Sequence, residues 1–250
     1  MILITGASSG LGEALAKVYA SEAKQLILLA RSKEKLNRLK KELPCETKIL
    51  LCDLADRQAV LNAIDKIKQE VQQIDILINN AGIGIFEEFE QTSYETINTT
   101  MEVNVLAVFQ LTHELLPLLK EGASIINIAS MSGKLATVKS SIYAASKAAL
   151  IQFSTILRME LHKKNIHVLT VNCGPIRTPF HEKADATGEY AKKIERFMLD
   201  TDKLALEIKK ANARKKCELN RPKIMQLMTI IASGTPKLYE TLTRKFFNLK

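Results

Sequence analysis

The sequence predicts an α/β protein, a doubly wound parallel sheet of about seven strands with helices on both faces, forming one domain over residues 1–250. Three observations carry that expectation. Short apolar runs recur along the chain, each followed by a longer helical run. The first, Ile2-Leu3-Ile4, leads directly into a glycine-rich turn, Thr5-Gly6-Ala7-Ser8-Ser9-Gly10-Leu11-Gly12. Polar residues then cluster where the later runs end, which is where ligands bind in open α/β sheets.

Taken in order, Ile2-Leu3-Ile4 suits a strand buried on both faces, and a helix follows from Glu13 to Ala20. Between them, glycines allow positive φ and a close approach of backbone to a ligand's phosphates. Unpaired N–H groups at the helix start then face an anion. Leu26 to Ala30 is the second strand, followed by Arg31-Ser32-Lys33. An acidic residue here would hold the ribose diol of NAD, whereas the planar fork of Arg31 suits a 2′-phosphate, so NADP(H) is favoured over NAD(H). A charged helix from Lys33 to Leu43 stops at Pro44, and Lys48 to Cys52 forms the third strand, ending at Asp53-Leu54. Asp53 either accepts from an adenine amine or helps to start the next helix, expected over Asp56 to Gln73.

Ile76-Leu77-Ile78 is the fourth strand, with Asn79-Asn80-Ala81-Gly82 at its end, where the asparagines would tie central strands together and border the cofactor. One long helical region is expected from Ser93 to Lys120, with Asn104 on an apolar face, where an amide needs hydrogen-bond partners. Ala123 to Ala129 is the fifth strand and delivers Ser130 to its end. A helix from Ser141 to Lys163 then sets Tyr143 and Lys147 at i, i+4 on one face. A cation held within about 4–6 Å favours the phenolate, so that the tyrosine can both donate and accept a proton. The sixth strand, His167 to Asn172, ends at Cys173-Gly174-Pro175-Ile176-Arg177-Thr178-Pro179. Residues 180–200 read as a mobile substrate cover, followed by a helix from Asp202 to Ala213, a short seventh strand at Cys217-Glu218-Leu219, and two helices near Pro222 and Pro236.

Composition narrows the function. Cys45, Cys52, Cys173 and Cys217 form no C-x-x-C pair, so no metal site is expected. The net charge is +9, and between Lys183 and Lys250 sixteen Lys/Arg stand against eight Asp/Glu. No aromatic-interleaved basic motif accompanies this excess, so no nucleic-acid partner is expected. Met1 leads at once into a strand, which leaves no room for a signal peptide, and the apolar runs fall short of the roughly 20 residues of a spanning helix. A cytoplasmic protein without a membrane partner is the expectation. Leu238, Leu242, Phe246 and Leu249 recur at helical spacing among basic residues; a membrane-surface helix or a dimer contact would use such a stripe, but it is expected to pack on the domain itself.

Taken together, Thr5-Gly6-x3-Gly10-x-Gly12, Asn79-Asn80-Ala81-Gly82, Asn104, Ser130, Tyr143-x3-Lys147 and Gly174-Pro175-Ile176-x-Thr178 resemble the short-chain dehydrogenase/reductases of about 250 residues, over at least Met1 to Phe180. The resemblance implies a Rossmann-like fold and an NADP(H)-dependent oxidoreductase that interconverts a small-molecule carbonyl and alcohol. Tyr143 would be the general acid or base and Ser130 would polarise the carbonyl. Lys147 would bind the nicotinamide ribose, Asn104 would hold a water in a proton relay to Lys147, and Ile176 and Thr178 would contact the carboxamide. A homodimer or homotetramer is implied too. An apolar substrate pocket is expected from Ile85, Phe86, Met131, Leu135, Val138, Ile176 and Phe180. The alternative function is a catalytically silent NADP(H)-binding scaffold or redox sensor. A sugar-nucleotide epimerase or dehydratase fits the short chain and the glycine spacing less well.

Overall fold

Among the described residues of the computed structural model, which are 1–180, 184 and 195–247 apart from the side chains of 196, 242 and 244–247, seven strands form one sheet. They are β1 (Ile2–Thr5), β2 (Gln25–Ala30), β3 (Glu46–Leu51), β4 (Ile74–Asn79), β5 (Leu119–Ser130), β6 (His167–Cys173) and β7 (Glu218–Arg221). All pairs are parallel and the order is β3-β2-β1-β4-β5-β6-β7. The chain winds outward in one direction from β1 and in the other from β4. Their C-terminal ends therefore flank the switch point at which such sheets bind ligands.

The register explains the near-continuous apolar runs. Leu3 pairs with Ile27 and Leu77, Leu77 with Ile125, and Ile125 with Val168, giving one row across the sheet. One residue on, Ile4, Leu28, Ile78, Ile126 and Leu169 make the next row. Successive side chains point to opposite faces, so both rows need cover. The first packs with helices α3 (Arg57–Glu70), α5 (Ala107–Leu115) and α6 (Ser141–Leu161). The second packs with α1 (Gly10–Ala20), α2 (Lys33–Glu42) and α7 (Thr201–Ala213).

Helix starts follow local chemistry. Asp56 caps α3 by accepting from the N–H groups of Gln58 and Ala59, and Asp200 caps α7 through Lys203 N–H. Asp53 does not start that helix: its carboxylate accepts from Ala55 N–H instead. The single long helix expected from Ser93 to Lys120 is interrupted. Helix α4 (Tyr94–Met101) passes into a π turn at Glu102–Leu106, where Ala107 N–H reaches back to Glu102 O, before α5 resumes. Pro117, which has no N–H to give, lies in a 3₁₀ turn before β5.

The last two helices are α8 (Lys223–Gly234) and α9 (Pro236–Phe247). Contrary to the expected packing of the C-terminal stripe, Leu238 is exposed. The side chains of Leu242 and Phe246 lie outside what is described, as do Leu249 and residues 181–183 and 185–194 of the expected substrate cover. Among the described residues, no helix is long and apolar enough to cross a membrane.

Candidate active site

A cleft of about 990 Å³ opens along the C-terminal ends of β1, β2, β4, β5 and β6. Its first wall is the loop between β1 and α1. Gly10 sits at φ +56°, and a Cβ there would lie 2.9 Å from the Thr178 methyl. At Gly12 a Cβ would stand 2.2 Å from Gly6 O, so only hydrogen fits where the helix crosses the loop. Ser9, at the start of α1, gives no side-chain cap to the helix. Gly6, Ser8, Ser9, Gly10, Leu11 and Gly12 all line the cleft. A glycine cradle followed by a helix N-terminus suits the pyrophosphate of a dinucleotide.

Farther along, Arg31 faces Asp53 across 3.6 Å, both exposed, and Ser32, Lys35 and Leu54 line the same end. Lys35, four residues beyond Arg31, was not among the expected cofactor residues. Asn80, Ala81 and Gly82 form the floor. Asn80 Nδ2 donates to Thr5 O at 2.9 Å, while Thr5 Oγ1 accepts from the N–H groups of Asn80 and Ala81, at 3.0 Å each. Asn79 does not face the cleft. It ties central strands, as expected, by donating to Asn127 Oδ1 (2.8 Å) and to Thr112 Oγ1 (3.2 Å).

At the other end Ser130, Tyr143 and Lys147 line the cleft together with Gly174, Pro175, Ile176 and Thr178. Ser130 Oγ is held between Ser132 N–H, from which it accepts (3.1 Å), and Cys173 O, to which it donates (3.3 Å). Lys147 Nζ donates to Ile128 O at 3.0 Å and lies 5.9 Å from the centre of the Tyr143 ring. Burial pushes its ammonium down to about 8, and burial pushes the neighbouring Cys173 thiol up to about 11. Phe86 and Phe180 each lie 5.7 Å from the Tyr143 ring, one edge-on and one tilted.

Asn104 stands behind this wall, fully buried in the π turn. It accepts from Ile83 N–H (2.9 Å) and donates to Ile83 O (2.8 Å) and to Ser146 Oγ (2.9 Å); Ser146 in turn donates to Tyr143 O (2.7 Å). Its side chain thus clamps the β4 loop to α6. A Cβ on Gly82 would lie 3.1 Å from Lys147 Nζ and 3.2 Å from Asn104 Oδ1, so this glycine makes room for both.

Of the residues expected to form an apolar pocket, Phe86, Ile176 and Phe180 line the cleft. Met131 and Leu135 do not: both are core residues, buried by the turn that follows β5. Ile85 and Val138 are exposed outside it. Thr99, Val103, Thr137, Phe197, Ile224, Met225 and Met228 line it without having been anticipated. They come from α4, the π turn, the segment before α6 and the C-terminal elements, and only the apolar run Ile224-Met225 carried any signal of them in the sequence.

A family model described as short chain dehydrogenase matches residues 1–189. A dehydrogenase/reductase SDR family protein 7-like from Drosophila melanogaster is 35% identical over 88% of this chain and 71% of the relative. A short-chain dehydrogenase from Sphingobium yanoikuyae, solved in complex with NADPH, superposes with a TM-score of 0.80 at 27% identity, over 96% of this chain and 94% of the other. A Burkholderia phymatum short-chain dehydrogenase/reductase, solved with NAD, shares the fold at TM-score 0.84 and 22% identity, over 95% and 94% of the two chains.

The buried lysine sets a pH dependence. Below pH 8 its ammonium is charged in both folded and unfolded chains, and burial counts against folding in full. Between pH 8 and the ordinary value of 10.5 the folded chain sheds the proton while the unfolded chain keeps it, so stability rises. Urea unfolding of wild type and Lys147→Met across this range is expected to show a gain confined to wild type, of up to about 3 kcal/mol. Parallel curves would contradict the assignment.

Proposed function

The chain belongs to the short-chain dehydrogenase family of NAD(P)-dependent oxidoreductases, and we propose that it interconverts a carbonyl and an alcohol with NADP(H) as the preferred cofactor and Tyr143 as general acid and base. The observation that carries this reading is the convergence of Ser130, Tyr143 and Lys147 on one cleft whose far end is the glycine loop beside Arg31.

The residues present fit a dinucleotide. The glycine loop and the start of α1 would hold its pyrophosphate, Asn80, Ala81 and Gly82 its middle, and Gly174, Pro175, Ile176 and Thr178 its nicotinamide end. When bound, the nicotinamide supplies or takes up the hydride. Arg31, Ser32 and Lys35 offer two cations and a hydroxyl to a 2′-phosphate. Asp53 steadies the Arg31 guanidinium from the cleft side, and its carboxylate is available to an adenine amine. The relative solved with NADPH is consistent with this preference.

Tyr143 donates its phenolic proton to the substrate oxygen in reduction and accepts it back in oxidation. Ser130 donates a second hydrogen bond to the same oxygen; Ser132 N–H holds its Oγ in place, and its single proton turns from Cys173 O to the substrate. Lys147, positive below pH 8, favours the phenolate left on Tyr143 and would hold the ribose of a bound dinucleotide. The amide of Asn104 is committed to Ile83 and Ser146. Its contribution is therefore to hold α6 and the β4 loop in place, and any relay water would rest on the backbone of the π turn. Leu106, Ile156 and Met159, exposed on the π turn and α6, suit a homodimer or homotetramer.

Fluorescence titration is expected to show tighter binding of NADPH than of NADH, with Arg31→Asp weakening NADPH by about 10–100-fold and leaving NADH nearly unchanged. Equal loss for both nucleotides would remove Arg31 from the phosphate site. Tyr143→Phe should retain nucleotide binding and lose turnover by about 10²–10⁴-fold. Wild-type turnover in that variant would sink the tyrosine's role.

A further inference from the structure

Helix α8 has no buried residue. Ile224, Leu227, Met228 and Ile231 recur at i, i+3, i+4, i+7 and are 60, 54, 39 and 54% exposed, with Ile230 beside them at 66%. The helix is nevertheless fixed to the domain. Met225 Sδ lies 2.8 Å from where a Cβ of Gly174 would be, and on α9 the Tyr239 hydroxyl donates to Ala136 O at 2.9 Å. Leu227, Ile230 and Ile231 lie outside the cleft, and Ile224 and Met228 continue the stripe to its edge. A contiguous apolar stripe in water marks a contact site.

The charge of the segment says what kind. From Lys223 to Lys250 the sequence carries Lys223, Lys237, Arg244, Lys245 and Lys250 against Glu240 alone. A two-fold contact through this segment would set each copy's excess of cations against the other's. An anionic lipid surface offers acyl chains for the stripe and negative headgroups for the cations, the combination that holds an interfacial helix. We propose that α8 docks the protein on anionic bilayers, lying in the headgroup plane without crossing. Ile224 and Met228 also line the cleft, so docking brings the mouth of the cleft to the lipid surface.

Vesicle flotation of the full chain tests this, with phosphatidylcholine vesicles with and without phosphatidylglycerol. The variant is the double substitution Leu227→Glu and Ile231→Glu, two exposed positions outside the cleft, with thermal melts to show that both proteins fold alike. Wild type is expected to float with the anionic vesicles and to be released by salt near about 0.5 M, where screening is nearly complete. The variant should bind about tenfold or more weakly. Wild type that stays soluble beside anionic vesicles, or a variant that floats as well as wild type, would overturn the proposal. So would light scattering that shows α8 joining two copies, a larger species converted to a smaller one by the double substitution, with no vesicle binding.

Discussion

Buried polar groups at the ends of parallel strands are costly to leave unpaired, and the site follows from how this chain pairs most of them, the Oδ1 atoms of Asn79 and Asn172 excepted. Strands β1, β4, β5 and β6 finish side by side beneath helices, where an unpaired amide or hydroxyl would cost about 1–3 kcal/mol. Two connected sets of side-chain hydrogen bonds serve these ends. One runs from Thr112 through Asn79 and Asn127 to Ser154 and tethers α5 and α6 to the sheet. The other joins Thr5 to Asn80 and Ala81, and Ile83 through Asn104 and Ser146 to the backbone of Tyr143. Thr5, Asn104 and Ser146, which do not line the cleft, thus hold segments that do.

Close approach is the second requirement. Gly12 lets α1 cross Gly6, and Gly82 leaves space for Lys147 and Asn104. With those positions open, Lys147 reaches Ile128 O from the buried face of α6 and its ammonium loses most of its water. A lysine so placed changes charge near neutral pH more readily than a surface lysine. The cleft thus combines a hydroxyl oxygen held in place by Ser132 N–H with one tunable positive charge, an arrangement suited to stabilising a developing negative charge on oxygen.

Much of this was legible in the chain itself. Runs buried on both faces, the glycine loop directly after β1, and Tyr143 four residues before Lys147 are local patterns, and each sets local geometry. The π turn at Glu102–Leu106 was not legible, because it depends on Asn104 meeting Ile83 and Ser146, residues 21 and 42 positions away. Met131 and Leu135 read as pocket residues because their hydrophobicity does not say whether they face a cavity or the core. Asp53 had two readings from its place at a strand end; its bond to Ala55 N–H removed one of them. The exposure of α8 was hidden for a related reason: apolar spacing marks a face to be covered but not what covers it.

In the proposed reaction this cleft transfers a hydride between a nicotinamide and a carbonyl carbon, with the proton supplied from its own wall. The most direct measurement is isotope transfer: incubate the protein with NADPH deuterated at C4 and a panel of ketones and aldehydes, then examine the alcohol products by mass spectrometry. The expected product is an alcohol carrying one deuterium on the carbinol carbon, from one face of the nicotinamide only. NADPH that binds tightly yet gives no labelled alcohol from any member of the panel would contradict it.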